Sequence, residues 1–328
     1  MRGAFPRLQH LAIDYCPKLK EHLPVQILHF ETLYIRHCKQ LLGYDGMVKM
    51  NEKEVTIFQV HNMEAWFVEW IGKMISHSSL EDLKVYSCPS MNIPMSQKYD
   101  FLVTLTIHDS CDSLTTFPID FFPTLRSLYL RSCCNLQMIL QVHAHNHLRD
   151  LTITECPQFE SLPERMHILL PCLEFLSIRD CPKVESFSDG CLPSNIKRMY
   201  LTNSSKLIAS LKGSFGNNTS LEALFIGKLD AQSFPDEGFL PLSLTSLRIY
   251  DCQNLEKLDY KGLRHLSSLK ELFLVNCPSL QCLPDEGLPK SISYLTISGN
   301  CPLLKQRCQQ PQGQDWGKIA HVQNLSIL

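Results

Sequence analysis

The chain has 328 residues, 44 % of them hydrophobic, with 31 basic and 33 acidic side chains and a formal net charge of −2. That apolar share is too high for a disordered chain, and the balanced charge gives no reason to expect a nucleic-acid or anionic-membrane partner. The start, Met1-Arg2-Gly3-Ala4-Phe5-Pro6, lacks the apolar core of a signal peptide and no run of 18 apolar residues follows, so a cytoplasmic chain without a transmembrane helix is expected.

In chain order, the first element is Leu8-Gln9-His10-Leu11-Ala12-Ile13, followed by Cys16-Pro17, Leu19 and Leu23-Pro24. The same order returns at Leu148, Leu151, Ile153, Cys156-Pro157, Phe159 and Leu162-Pro163. It returns again at Leu269, Leu272, Leu274, Cys277-Pro278, Leu280 and Leu283-Pro284. Marked by the second apolar position, the coils fall at Leu11, Leu33, Leu83, Leu105, Leu128, Leu151, Leu176, Met199, Leu224, Leu247, Leu272 and Leu295. Nine steps from Leu83 to Leu295 cover 212 residues, roughly 23.6 per step, inside the window of about 20–29 residues of leucine-rich repeats. The expected fold is an α/β solenoid: a leucine-rich-repeat horseshoe with a parallel β-sheet on the concave side and a mostly irregular convex side with short helices. It should hold twelve to thirteen coils over residues 1–300, with a C-terminal cap or tail over 301–328.

The step from Leu33 to Leu83 spans two periods. Val55-Thr56-Ile57-Phe58 is the expected strand of a degenerate coil, and Met63 to Met74 reads as a helix because apolar residues recur at helical spacing without proline. The stretch near 44–79 is therefore an irregular insertion on the edge of the solenoid.

Within a coil, alternation points Leu and Ile inward, and successive strands are expected to pair in parallel about 4.8 Å apart. Cys then turns the chain inward, and the following Pro, with no N–H to give, ends the strand. Ten of the 15 cysteines take this position: Cys16, Cys38, Cys88, Cys111, Cys133, Cys156, Cys181, Cys252, Cys277 and Cys301. One thiol per coil is a packing feature, because free Cys behaves as a small buried hydrophobe. Cys134, Cys172, Cys191, Cys282 and Cys308 lie off-register, as ordinary core or surface thiols.

Catalytic machinery is not expected. The chain has no phosphate-cradling Gly-rich loop followed by Lys and Ser or Thr, no Gly-x-Ser-x-Gly elbow, no His-Glu-x-x-His and no Cys-x-x-Cys pair. His143-Ala144-His145-Asn146-His147 would put three imidazoles on one face of a strand, as zinc or copper needs. This segment precedes the strand beginning near Arg149, so a solvated convex loop is the expectation, and neither a metal nor another cofactor is expected.

Positions flanking the inward residues face outward on the sheet. They hold seven of the ten Tyr (Tyr15, Tyr34, Tyr86, Tyr129, Tyr200, Tyr250, Tyr294) and seven Arg (Arg36, Arg126, Arg131, Arg149, Arg179, Arg198, Arg248). Lys is not enriched there. Tyr and Arg without Lys is the composition of a protein–protein hot spot, whereas strand preference accounts for the Tyr and not for the Arg. The candidate contact residues are Tyr86, Tyr129, Arg131, Arg179, Tyr200, Phe225, Arg248, Tyr250 and Phe273.

A solenoid needs capping repeats. Trp316, Ile319 and Val322 are placed to fold over the last coil, whereas nothing precedes Leu8 to cover the first, so a longer chain or a partner is expected there.

Three features, the repeated Leu-x-Ile-x-x-Cys-Pro, the pair Phe234-Pro235-Asp236-Glu237-Gly238-Phe239-Leu240-Pro241 and Leu283-Pro284-Asp285-Glu286-Gly287-Leu288-Pro289, and the tail from Cys301 through Asp315-Trp316-Gly317-Lys318-Ile319, carry a resemblance. Together they resemble the leucine-rich-repeat region of plant intracellular disease-resistance receptors of the coiled-coil, nucleotide-binding class. The resemblance implies a protein-binding recognition domain in innate immunity that senses a pathogen effector or a guarded host protein. It also implies an N-terminal nucleotide-binding switch domain, whose motifs this chain lacks. The alternative is the substrate-recognition arm of a ubiquitin ligase, whose repeats run longer and end without these Cys-Pro and Leu-Pro turns.

Overall fold

Five-residue strands with inward second and fourth side chains recur along the chain of this computed structural model, which describes residues 9–19, 32–42, 46–51, 53–60, 79–95, 98–187, 192–212, 214–215 and 220–328. The chain divides into two compact units, Met1–Phe159 and Glu160–Leu328. In the first unit, β1 (His10–Asp14), β2 (Thr32–Arg36), β3 (Met47–Asn51), β4 (Glu54–Phe58), β5 (Asp82–Tyr86), β6 (Thr104–His108), β8 (Ser127–Arg131) and β10 (Asp150–Thr154) are neighbours in that order. In the second unit the order is β11 (Phe175–Arg179), β12 (Arg198–Thr202), β13 (Ala223–Gly227), β15 (Ser246–Tyr250), β17 (Glu271–Val275), β18 (Tyr294–Ser298) and β19 (Asn324–Ile327). All twelve marker residues occupy the second position of a strand, and Val55 takes that position in β4, so the degenerate coil is present. Within the uninterrupted parallel runs of each unit, successive markers pair in register, as in Leu83↔Leu105↔Leu128↔Leu151 and Leu224↔Leu247↔Leu272↔Leu295. These side chains are buried; Leu247 and Leu272 are fully enclosed, each contributing on the order of 2 kcal/mol.

The side opposite the sheet is short and irregular. It holds helices of four to six residues, such as Ser205–Ser210 and Tyr260–Leu263, and two small parallel pairs. One pair joins β7 (Thr116–Pro118) to β9 (Met138–Leu140), the other β14 (Ser233–Phe234) to β16 (Lys257–Leu258).

Two departures from the array expected from the sequence appear. β3 lies antiparallel between β2 and β4. Only two residues separate β3 from β4, too few for a parallel crossover, which takes a dozen or more. The Asn51 side chain accepts the Lys53 and Glu54 N–H groups at 2.9 and 2.7 Å and fixes this bend. The expected helix over 63–74 lies outside the described residues. At the other end, Asn324–Ile327 adds a strand parallel to β18, with Leu325 opposite Leu295, where the sequence pattern had dissolved.

The bend after each strand is built differently from the sequence expectation. The residue after the fifth strand position takes a left-handed conformation after thirteen of the described strands, from Tyr15 (φ 53) through Asn203 (φ 53) and Asn276 (φ 54) to Gly299 (φ 64). Asn, Asp and Gly tolerate that region best. The Cys lies one residue later, and its thiol donates to the carbonyl of the strand's last residue: Cys88 to Tyr86 at 3.1 Å, Cys181 to Arg179 at 3.3 Å and Cys252 to Tyr250 at 3.3 Å. In the coil of β6 this place belongs to Ser110, which donates to His108 at 2.7 Å, and Cys111 stands one residue further on. Cys301 is likewise displaced by one, because Gly299 and Asn300 both precede it. Cys16 is exposed, unlike the other nine of the set.

All fourteen described cysteines are free thiols. Burial pushes Cys88 up to about 11 and Cys111 up to about 12. Both stay protonated and unreactive at neutral pH. Ellman's reagent is expected to modify exposed Cys16 and Cys134 in the folded protein, with half-buried Cys172 and Cys282 slower. The buried thiols should respond only on denaturation; rapid reaction of Cys88 or Cys133 in the native state would contradict this packing.

Candidate binding surface

The first, third and fifth side chains of each strand share the outward face of the sheet. In the second unit the third positions align in register as Ser177, Tyr200, Phe225, Arg248, Phe273 and Thr296. Parallel strands about 4.8 Å apart bring flat side chains at the same position almost to stacking distance. Tyr200 and Phe225 stack with centroids 3.8 Å apart and planes 11° from parallel. The Arg248 guanidinium then lies between two rings, 4.8 Å from Phe225 and 4.1 Å from Phe273. The result is one continuous column across four coils. Phe175 meets the free edge of Tyr200 at 5.2 Å and 61°, and Arg198 lies 5.5 Å from the Phe175 ring. Each cation–π contact contributes about 0.5–1 kcal/mol at an exposed site. The column also orders its side chains in advance, which lowers the entropic cost of association by about 0.5–1.5 kcal/mol for each one.

Beside this column run the fifth positions Arg179, Thr202, Gly227, Tyr250 and Val275. Gly227 leaves the space in which the Tyr250 ring lies, since a Cβ there would fall 2.5 Å from that ring. Burial raises the Tyr250 hydroxyl above its ordinary value, opposed by the Arg179 charge and a hydrogen bond with Thr202.

Six of the nine residues singled out from the sequence thus gather in the second unit: Arg179, Tyr200, Phe225, Arg248, Tyr250 and Phe273. The other three face outward on the first unit. Tyr86 meets the His108 ring edge-on at 6.0 Å, and Tyr129 sits in register between Thr106 and Thr152. Arg131 is held by Glu155 through two hydrogen bonds of 3.2 and 2.9 Å, which keep the Glu155 carboxyl below its usual range. Lys84 is likewise held, by Glu54 at 3.1 Å and Asp82 at 2.7 Å. Phe175, Thr202 and Gly227 escaped the sequence reading. Their roles come from register alone, and the only signal was their place at the first or fifth strand position.

His143 and His145, two of the three histidines near 143–147, have separate roles. His143 Nδ1 contacts the Asp120 carboxylate at 3.2 Å. His145 is buried: its Nε2–H donates to the Phe122 carbonyl at 2.7 Å, and its Nδ1 accepts from the Leu148 N–H at 3.0 Å. This uses both ring nitrogens in the neutral form, and burial lowers its pKa from 6.5 despite the opposing hydrogen bond. No group of described residues is arranged to hold a metal ion. Because the folded pKa is depressed, the contribution of His145 to stability is complete above the unfolded value and is lost as pH falls through the folded one. Acidification from pH 7.5 to 5 is therefore expected to lower the thermal midpoint of the wild type more than that of His145→Gln. Equal slopes would remove this role.

No protein-family model matches the chain. A putative disease resistance protein of Arabidopsis thaliana is 32 % identical over 352 residues, an alignment covering 93 % of this chain and 24 % of that protein. The chain is a leucine-rich-repeat array of the plant disease-resistance type. Disease resistance protein RPP4 of A. thaliana is 25 % identical over 89 % of the array and 27 % of its own length. The putative disease resistance protein RGA4 of Solanum bulbocastanum is 46 % identical over 57 residues, 17 % of the array and 6 % of that protein. The array thus spans about a quarter of the length of the relatives that match most of it. Among solved structures, TLR13 in its complex with ssRNA13 aligns with a TM-score of 0.54 at 17 % identity. That alignment covers 81 % of the array and 42 % of the TLR13 chain, and it shows the shared fold. No described helix of the array is long and apolar enough to cross a membrane.

Proposed function

We propose that the array is a protein-recognition domain in plant defence, acting inside the cell without chemistry of its own. On this reading the second unit's sheet face senses a pathogen protein or a host protein guarded against attack. The observation that carries this is the pre-ordered column Tyr200–Phe225–Arg248–Phe273, with Tyr250 and Arg179 beside it. Aromatic and arginine side chains with few accessible conformations dominate the energetics of protein interfaces. Free thiols throughout the described chain support a reducing compartment, and the disease-resistance relatives support the defence role. In a longer receptor, binding here would bias a nucleotide-binding switch domain.

The test is affinity capture from infected plant tissue with three forms of the chain: wild type, Tyr200→Ala/Phe273→Ala, and the control Arg264→Ala. Arg264 pairs with Glu237 in the segments between sheet strands. A protein retained by wild type and control and lost by the double variant is the expected result. Equal retention by all three would move recognition to another surface.

A further inference from the structure

Charge is distributed unevenly between described partners. The acidic side chains where the second unit's strands end are engaged: Asp180 accepts from Asn203 at 3.1 Å and from Lys228 at 2.8 Å, and Asp251 accepts from Asn276 at 2.9 Å. On the first unit's face the cations Lys84 and Arg131 are engaged as well. By contrast, Arg179, Arg198 and Arg248 are exposed and form no ion pair with any described residue. At the outward positions of β11–β19, Glu271 is the one acidic side chain among the described residues. The face therefore carries three guanidinium groups outside any ion pair with a described residue, against one carboxylate.

Two of these are oriented by aromatic rings. Arg248 Cζ lies between the Phe225 and Phe273 rings, and Arg198 Cζ lies over the Phe175 ring. Stacking uses the faces of a guanidinium and leaves its N–H edge, which matches the two oxygens of a carboxylate. Arg198 stands at the first position of β12 and Arg248 at the third of β15, two ladders away, so their stems are on the order of 10 Å apart. We propose that this face takes an acidic protein segment, with Asp or Glu carboxylates seated on Arg248, Arg198 and Arg179 and apolar side chains against the aromatic column. The inference rests on the second unit's sheet face being the recognition surface, and it names the chemistry of the partner. A nucleic-acid strand fits less well. Its continuous phosphate chain would meet Glu174 and Glu222 at one end of the strands and Asp180 and Asp251 at the other. The rings also pack against one another rather than standing open to bases.

The test is selection of a displayed random peptide library on the full chain, followed by fluorescence anisotropy of the winning peptides at two salt concentrations. Winners are expected to be enriched in Asp and Glu, to bind at least tenfold more weakly after Asp→Asn and Glu→Gln exchange, and to weaken with salt. Arg179→Gln/Arg198→Gln/Arg248→Gln should lower their affinity at least tenfold. The double variant Arg179→Gln/Arg198→Gln, which leaves the column intact, should also weaken them. Winners without acidic enrichment, acidic winners indifferent to both variants, or tighter binding of a single-stranded RNA oligonucleotide at the same salt would each overturn the proposal. The captured plant protein separates the two readings. Its loss from Tyr200→Ala/Phe273→Ala but not from the triple Gln variant overturns the acidic chemistry alone. Retention by both overturns the recognition surface.

Discussion

Tyr200→Ala combined with Arg248→Ala is expected to weaken binding of the captured plant protein by about two to three orders of magnitude. Two residues at the centre of a hot spot each contribute about 2 kcal/mol or more, and every 1.4 kcal/mol is about tenfold in affinity. Both side chains belong to the same stack, so their effects should not add: removing Arg248 separates Phe225 from Phe273, and removing Tyr200 exposes Phe225. The strand beneath is unaffected, because Met199, Leu201, Leu247 and Ile249 supply the buried contacts. Calorimetric titration of each single variant and the double gives the coupling directly. An affinity within threefold of wild type, with an unchanged circular dichroism spectrum, would exclude this column from recognition.

Asp315→Ala is expected to destabilise the segment from Cys301 to Ile327 by about 3–5 kcal/mol, the usual cost of leaving a buried charge cluster without its partner. The Asp315 side chain is fully enclosed. Its carboxylate accepts from Arg307 Nε and Nη2 at 3.0 and 3.1 Å, from the Leu283 N–H at 3.0 Å, and lies 3.1 Å from Lys318 Nζ. Burial alone would raise its pKa; the Arg307, Leu283 and Lys318 contacts outweigh that and hold it below 3.8. Its contribution to stability is therefore complete above pH 4 and is lost as pH falls through the folded value. The readout is hydrogen exchange in β19 and around Ile319, because a repeat array does not unfold as one unit. Exchange in Asp315→Ala as slow as in the wild type would show that this segment is held by its apolar contacts alone. Asp315→Asn, which keeps an acceptor for Leu283, should lose less.

The sequence alone located the coils, because two buried residues per strand leave a period that survives substitution, even Met199 for Leu. It also marked β4, despite a segment of about two periods around it. The strands it did not reveal each have a physical reason. β3 belongs to an antiparallel pair with no repeat to announce it. β19 follows a helical segment that interrupts the spacing. The cysteine was legible as a packing residue, but the bend belongs to the residue before it. That position varies from Tyr15 through Glu155 to Lys228, so its shared left-handed geometry leaves only a weak trace in residue type. For the candidate surface, alternation was enough to place Arg179, Tyr200, Phe225, Arg248, Tyr250 and Phe273 outward. Pairing across ladders is a property of space, and only the fold shows that Arg131 is engaged while Arg248 is clamped between rings.

The in-register ladders have a consequence for how such a gene can vary. Exchange that adds or removes one whole coil leaves every remaining inward residue facing inward, while a slip of one residue turns a strand's core side to solvent. Recombination at the spacing of the repeat therefore yields chains that still fold, yet whose outward columns are cut and rejoined. The column from Tyr200 to Phe273 could be split, lengthened or supplied with a different neighbour in a single step. β3, which runs opposite to the strands on both sides, sets a limit to this interchange: a coil inserted against it would meet the wrong strand direction. Diversity by duplication should accordingly be confined to the uninterrupted parallel runs, with the segment around β3 constant in length.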